Sequence, residues 1–160
     1  MKVDHRAEFA RSIALKALDR SPRSRAQLAE LLTQKDVPDQ IAAALLDRFE
    51  EVGLVDDRSL AEMLVRTRHA ERGLVGRALA AELQRKGIDP ETAQAAMAQV
   101  TREDELEAAE CWARKKLSAT RGLAPEARLR RTATLLTRKG HGPGVAFATA
   151  KRLLAEELTA

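Results

Sequence analysis

The chain has 160 residues, 44% of them hydrophobic and 32% charged, but only 2% aromatic, with three Phe, one Trp and no Tyr. That length supports a real core, and with so few aromatics Ala and Leu must do most of the packing, which points to close-lying helices and away from a sheet. The formal charge of +4 and pI near 9.6 are a modest attraction for polyanions, compatible with a nucleic-acid partner without requiring one.

The excess charge is uneven. Lys and Arg number nine against ten Asp and Glu up to residue 56, eight against six over 57–102, and eleven against eight from 103 onward. The single Cys111 has no internal disulfide partner, which fits a reducing compartment. No apolar run approaches the roughly 18 residues of a membrane span, and MKVDHRAEFARS lacks the apolar core of a secretory leader. A cytoplasmic protein without a membrane partner is expected.

Taken in order, Asp4 is expected to cap a helix from about His5 to Arg20, burying Phe9, Ile13 and Ala17 beside Ala10, Ala14 and Leu18, with Pro22 as its stop. Ser24 caps a shorter helix with Leu28, Leu31 and Leu32 inward. Pro38 suits the first turn of a third helix, lined by Ile41, Leu45, Phe49 and Val52 and ended by Gly53. Asp56 or Asp57 then caps a fourth, with Leu60, Met63, Leu64 and Thr67 on one side and Arg58, Glu62, Arg66, His69 and Arg72 on another. Val75, Leu79 and Leu83 set the buried stripe of a fifth, which stops at Arg85-Lys86-Gly87. Pro90 opens a sixth, with Ala93, Met97 and Val100 inward. The seventh begins near Glu103, its acidic opening suited to a helix N-terminus and Arg114-Lys115-Lys116 to its C-terminal end. Helix 126–139 and a helix from about Val145 to Leu158 complete the chain, joined by the connector from Gly140 to Gly144.

These helices form three triplets. Lys35-Asp36, Lys86-Gly87 and Lys139-Gly140 hold equivalent places, 51 and then 53 residues apart. Leu28 matches Leu79, and Leu32 matches Leu83 and Leu136. A period near fifty residues implies tandem modules. The fold read from the sequence is therefore all-α, with three three-helix repeats over 1–54, 55–102 and 103–160.

Catalytic chemistry is hard to place on such a chain. His5, His69 and His141 are scattered without a partner at ligand spacing, and read as surface residues. Cys111, beside Trp112 inside a helix, reads as a small buried hydrophobe. GHGPG at 140–144 lacks the Lys-Ser/Thr ending of a P-loop. No cofactor, metal or enzymatic activity is expected. What remains is basic surface: Arg66, Arg72, Arg77, Arg85 and Lys86 around the second module, and Arg130, Arg131, Arg138 and Lys139 in the third, where Arg130, Thr134 and Thr137 form one stripe. Such arrays bind phosphates without reading sequence and weaken steeply with salt. The same residues also suit a solvated face, with pairs such as Glu62 to Arg66. Few aromatics are available to stack on bases. A sequence-specific helix-turn-helix regulator is the alternative reading, and the weaker one, because such a protein carries one such unit beside a sensing or dimer domain, whereas this chain spends its length on three.

The junction GLVDD at 53–57, followed by Leu60-Ala61 and then RALAAELQRKGI at 77–88, resembles the RecX family, the bacterial regulators of the RecA recombinase. SRAQLAELLTQKDVP at 24–38 and RLRRTATLLTRKGHG at 128–142 fit its outer repeats, so the likeness runs from about residue 9 to 158. The resemblance implies three tandem three-helix repeats in an elongated, curved array. It also implies binding in the groove of a RecA–DNA filament, limiting its ATP hydrolysis, strand exchange and growth. One departure stands out: the family usually places an aromatic after the junction, where this chain has Leu60. The basic residues named above come from charge and periodicity, not from a family motif.

Overall fold

A computed structural model describes residues 2–160, with side chains from His5 onward. Among these residues lie nine helices and no strand: α1 Lys2–Arg20, α2 Arg25–Gln34, α3 Asp39–Glu51, α4 Asp57–Arg72, α5 Gly76–Arg85, α6 Pro90–Met97, α7 Arg102–Ala119, α8 Pro125–Arg138 and α9 Pro143–Thr159. They fall into three successive triplets with the lengths long, short and variable. The fold is thus all-α and built of three-helix repeats, as the register of Lys35, Lys86 and Lys139 anticipates.

The repeat is clearest where each triplet's second helix stops. After α2, α5 and α8 the chain makes the same pair of bonds, a Schellman turn. Val37 N–H donates to the Leu32 carbonyl and Asp36 N–H to Thr33. Ile88 donates to Leu83 and Gly87 to Gln84. His141 donates to Leu136 and Gly140 to Thr137. The turning residue has a positive φ each time, 62° at Asp36, 78° at Gly87 and 108° at Gly140. Such turns tuck the following residue against the last core leucine, and Val37, Ile88 and His141 are all buried beside Leu32, Leu83 and Leu136. A histidine therefore occupies a place that the other two repeats give to an aliphatic side chain.

Packing divides the chain into two units, Met1–Leu64 with Glu82–Ala96 and Val65–Ala81 with Met97–Ala160, the boundaries falling inside α4, inside α5 and before the last residue of α6. In the first unit Ala10, Ala14, Leu28, Leu32, Leu46 and Phe49 form the core, with Ile13, Leu31, Ile41 and Leu45 against it. Full burial of a Leu or Phe is worth about 1.5–3 kcal/mol. Ser24 caps α2 in a capping box with Gln27, is itself buried, and donates its hydroxyl to the Lys86 carbonyl. Asp56 caps α4 by accepting from the Ser59 N–H at 3.1 Å. Asp57 turns instead to α2, accepting from the Arg25 N–H at 2.9 Å, and burial pushes its carboxyl up against that bond. Leu60 is buried and fills its place from the core side.

In the second unit Ala109, Ala113, Leu117, Leu136, Ala146, Leu153 and Leu154 form a core, with Trp112 and Leu129 partly buried against it. Thr101 caps α7 in a box with Asp104, whose carboxyl those bonds hold below its usual range. Arg128 is buried: its guanidinium bonds the Leu117 carbonyl at 2.8 Å and Glu157 at 2.6 Å. By the repeat register it stands where Ser24 and Val75 stand in the earlier triplets.

Several helix faces differ from expectation. Phe9 and Val52 are each 53% exposed, because α1 and α3 bury Ala10, Ala14 and Ala42, whose small side chains let the helices approach closely. Pro38 stands just before α3 as its N-cap, Val100 lies beyond the end of α6, and α9 begins at Pro143 rather than Val145. Cys111 is exposed, not buried. The cap expected from Asp4 lies outside the described side chains. No helix among the described residues is long and apolar enough to cross a membrane.

Candidate partner and nucleic-acid interface

One group of cations lies on α8 and α7, within the second unit. Arg130, Arg131, Thr134, Leu135 and Arg138 of α8 and Lys116 of α7 line a cleft of about 240 Å³ that no carboxylate borders. Arg130, Arg131 and Arg138 are exposed and make no ion pair among the described residues. The helix explains the grouping: Thr132 and Leu136 face the core, so residues 130, 131, 134 and 138 fall on its outer side. Lys116 joins from α7, 14 residues earlier than Arg130. Only the run at 114–116 hinted at it, and nothing in the sequence said which of the three faces α8.

The other predicted positions are spread out. Arg66 and Arg77 are exposed and without an ion pair among the described residues, since Glu62 pairs with Arg58 at 3.3 Å rather than with Arg66. Arg85 is paired with Glu82. Lys86 is half-buried, its carbonyl bonded by Ser24, and both belong to the first unit.

Arg72 and Lys139 meet in a tighter arrangement. The Lys139 ammonium donates to the Arg72 carbonyl at 2.7 Å, at the C-terminus of α4, and stands 3.7 Å from the Trp112 ring centroid, with Lys115 at 4.4 Å. Burial lowers its pKa, and the neighbouring Arg72 and Lys115 charges add to this. Beside it the Val75 N–H donates to the Lys139 carbonyl at 2.9 Å. This joins the start of α5 to the end of α8, as Ser24 joins the start of α2 to the end of α5. Lys139 is therefore engaged in holding one repeat to the next, whereas Arg130, Arg131 and Arg138 are available to a ligand.

His69 and His141 belong to the same neighbourhood. His69 is half-buried, its Nδ1 3.0 Å from the Leu74 carbonyl. His141 is 4% exposed, and burial lowers its pKa, with His69 contributing. Neither is the surface residue expected, and no group of three or more His, Cys, Asp or Glu among the described residues is arranged to hold a metal ion.

Repeated three-helix modules with an unpaired basic helix face define a helical-repeat protein. Comparison with known proteins makes the class specific. Residues 10–49 match the first three-helix domain of RecX and residues 56–97 the second. Regulatory protein RecX of Thermobifida fusca is 46% identical over 151 residues, covering 94% of this chain and 80% of that protein. Its counterpart from Streptomyces coelicolor is 45% identical over 150 residues, with the same coverage. The crystal structure of RecX from Lactobacillus salivarius superimposes with a TM-score of 0.83 at 19% identity, over 94% of this chain and 97% of that one. A second, described as regulatory protein RecX, gives 0.81 at 24%, over 94% and 74%. The chain belongs to the RecX family, a family of regulatory proteins.

Proposed function

We propose that this protein binds a RecA–DNA filament and restrains its ATP hydrolysis, strand exchange and growth, as a cytoplasmic regulator without enzymatic activity of its own. The observation that carries this reading is the 46% identity to a regulatory protein RecX across 94% of the chain, together with what that family does. The modules 1–54, 55–102 and 103–160 are the proposed working units. Arg130, Arg131 and Arg138 are the proposed principal phosphate contacts, with Lys116 beside them. Arg66, Arg72, Arg77, Arg85, Lys86 and Lys139 add weaker positive potential. Binding to DNA, single- or double-stranded, is then sequence-independent and falls with salt.

The deciding experiment is single-strand-DNA-dependent ATP hydrolysis by the RecA of the same organism, with this protein titrated in. Inhibition well below one copy per RecA is expected for action on an assembled filament. Inhibition only at excess, relieved by more DNA, would reduce the function to competition for DNA. No effect on intact filaments would overturn it, and a preferred operator sequence would point to a transcriptional regulator instead.

A further inference from the structure

On its other flank α8 forms a second groove, with α9. Leu129, Ala133, Pro143 and Phe147 give it an apolar surface, Arg130 and Arg138 border it, and Glu126 is the single carboxylate in its lining. Its volume of about 490 Å³ lies within the range of pockets that hold ligands, about 300–1,000 Å³. Phe147 is 50% exposed and lines this groove, and the Lys151 ammonium lies 5.9 Å from its ring centroid.

We propose that this α8–α9 groove docks an acidic amphipathic helix of a protein partner. The apolar lining asks for aliphatic or aromatic side chains, which a phosphate backbone does not supply. The bordering charge asks for carboxylates, and Arg130 and Arg138 have none among the described residues. Eight residues separate these two arginines on one helix, an axial distance of about 12 Å. A partner helix answers both with carboxylates seven or eight residues apart and an apolar stripe between them, the helix-in-groove mode of recognition. The inference rests on the filament reading only for who the partner is. Because Arg130 and Arg138 also line the α7–α8 cleft, an acidic helix and a DNA strand compete for them.

The experiment is a fluorescence-anisotropy titration of a labelled 15-residue helical peptide of Leu, Ala and Glu, its carboxylates at that spacing, with the full chain. The expected result is saturable binding that weakens at least tenfold in Phe147→Ser and in the double variant Arg130→Glu/Arg138→Glu. Binding should persist in Phe9→Ser, which removes an equally exposed ring from α1. A peptide with Lys for Glu should not bind. Equal binding of the two peptides, or wild-type binding by Phe147→Ser, overturns the groove. So does loss of single-strand DNA binding in Phe147→Ser, which would make the ring a base-stacking platform, or a self-association lost in that variant, which would make the occupant a second copy. Co-sedimentation with RecA–DNA filaments separates the two readings. A wild-type chain that binds the peptide but not the filament refutes the filament function alone. Wild-type and Phe147→Ser chains sedimenting equally refute the groove as a partner site.

Discussion

Gly140 shows how much one residue can decide in a repeat protein. Its φ of 108° ends α8, and a Cβ there would stand 1.8 Å from the Val75 carbonyl oxygen, at the backbone contact that joins α5 to α8. Gly140→Ala therefore combines left-handed strain of about 1–2 kcal/mol with the loss of that contact, and a destabilisation above about 2 kcal/mol is expected in urea unfolding. Gly144, in the first turn of α9, has no atom near its Cβ position. There alanine should be neutral or stabilise by up to about 1 kcal/mol. A cost at Gly140 no larger than the strain alone, about 1–2 kcal/mol, would mean that the α5–α8 contact is not made. Gly73 is constrained in another way, since a Cβ there would come within 2.0 Å of Trp112 Nε1.

His141 makes a pH prediction at the same scale. Burial holds its folded pKa below the ordinary value of 6.5, so as pH falls below 6.5 the unfolded chain takes up the proton first and the folded state loses stability. Above 6.5 the imidazole is neutral in both states and its contribution to stability is fully present. Melting temperature should fall between pH 7 and pH 5, and His141→Val, which restores the residue type of Val37 and Ile88, should flatten that part of the profile. An unchanged slope in the variant would assign the acid sensitivity to other groups.

At the scale of helices, the sequence disclosed much and misled in a consistent direction. Caps and stops are legible at Ser24, Gly53, Gly87 and Pro90, because they depend on local backbone chemistry, while packing against α2 is what separates Asp56, the cap of α4, from Asp57. The leucines at 28, 32, 79, 83 and 136 were legible because their spacing repeats. Phe9 and Val52 look inward by sequence because large apolar side chains dominate any count of hydrophobic weight, whereas these helices meet through alanines. Leu79 is 1% exposed, and Leu79→Ala should cost about 2–5 kcal/mol, while Phe9→Ala should stay within about 0.5 kcal/mol, as surface changes usually do. The reverse order in thermal unfolding would mean that the helix faces are turned from those described. Of the candidate site, α8's outer arginines followed from periodicity. Lys116 did not, because which residue of one helix meets a residue 14 positions later on the next is settled only by packing. The role of Lys139 was hidden for the same reason.

For the molecule as a whole, the proposed DNA contact is best tested through its salt dependence. Each phosphate neutralised on single-stranded DNA adds about 0.7 to the slope of log K against log salt concentration. If Lys116, Arg130, Arg131 and Arg138 each neutralise one, replacing all four by Ala should lower the slope by about 3, equally for every DNA sequence. Far-ultraviolet circular dichroism should not change, since none of the four is buried. Replacing Arg77, Arg85 and Lys86 together should lower it less, because Arg85 is already paired with Glu82 and Lys86 is half-buried. The comparison is internal to one protein, so it separates a focused contact on α7 and α8 from diffuse attraction by net charge. Diffuse attraction would make the loss follow the number of charges removed, four against three, and leave the two variants nearly alike. A focused contact makes them differ severalfold in slope.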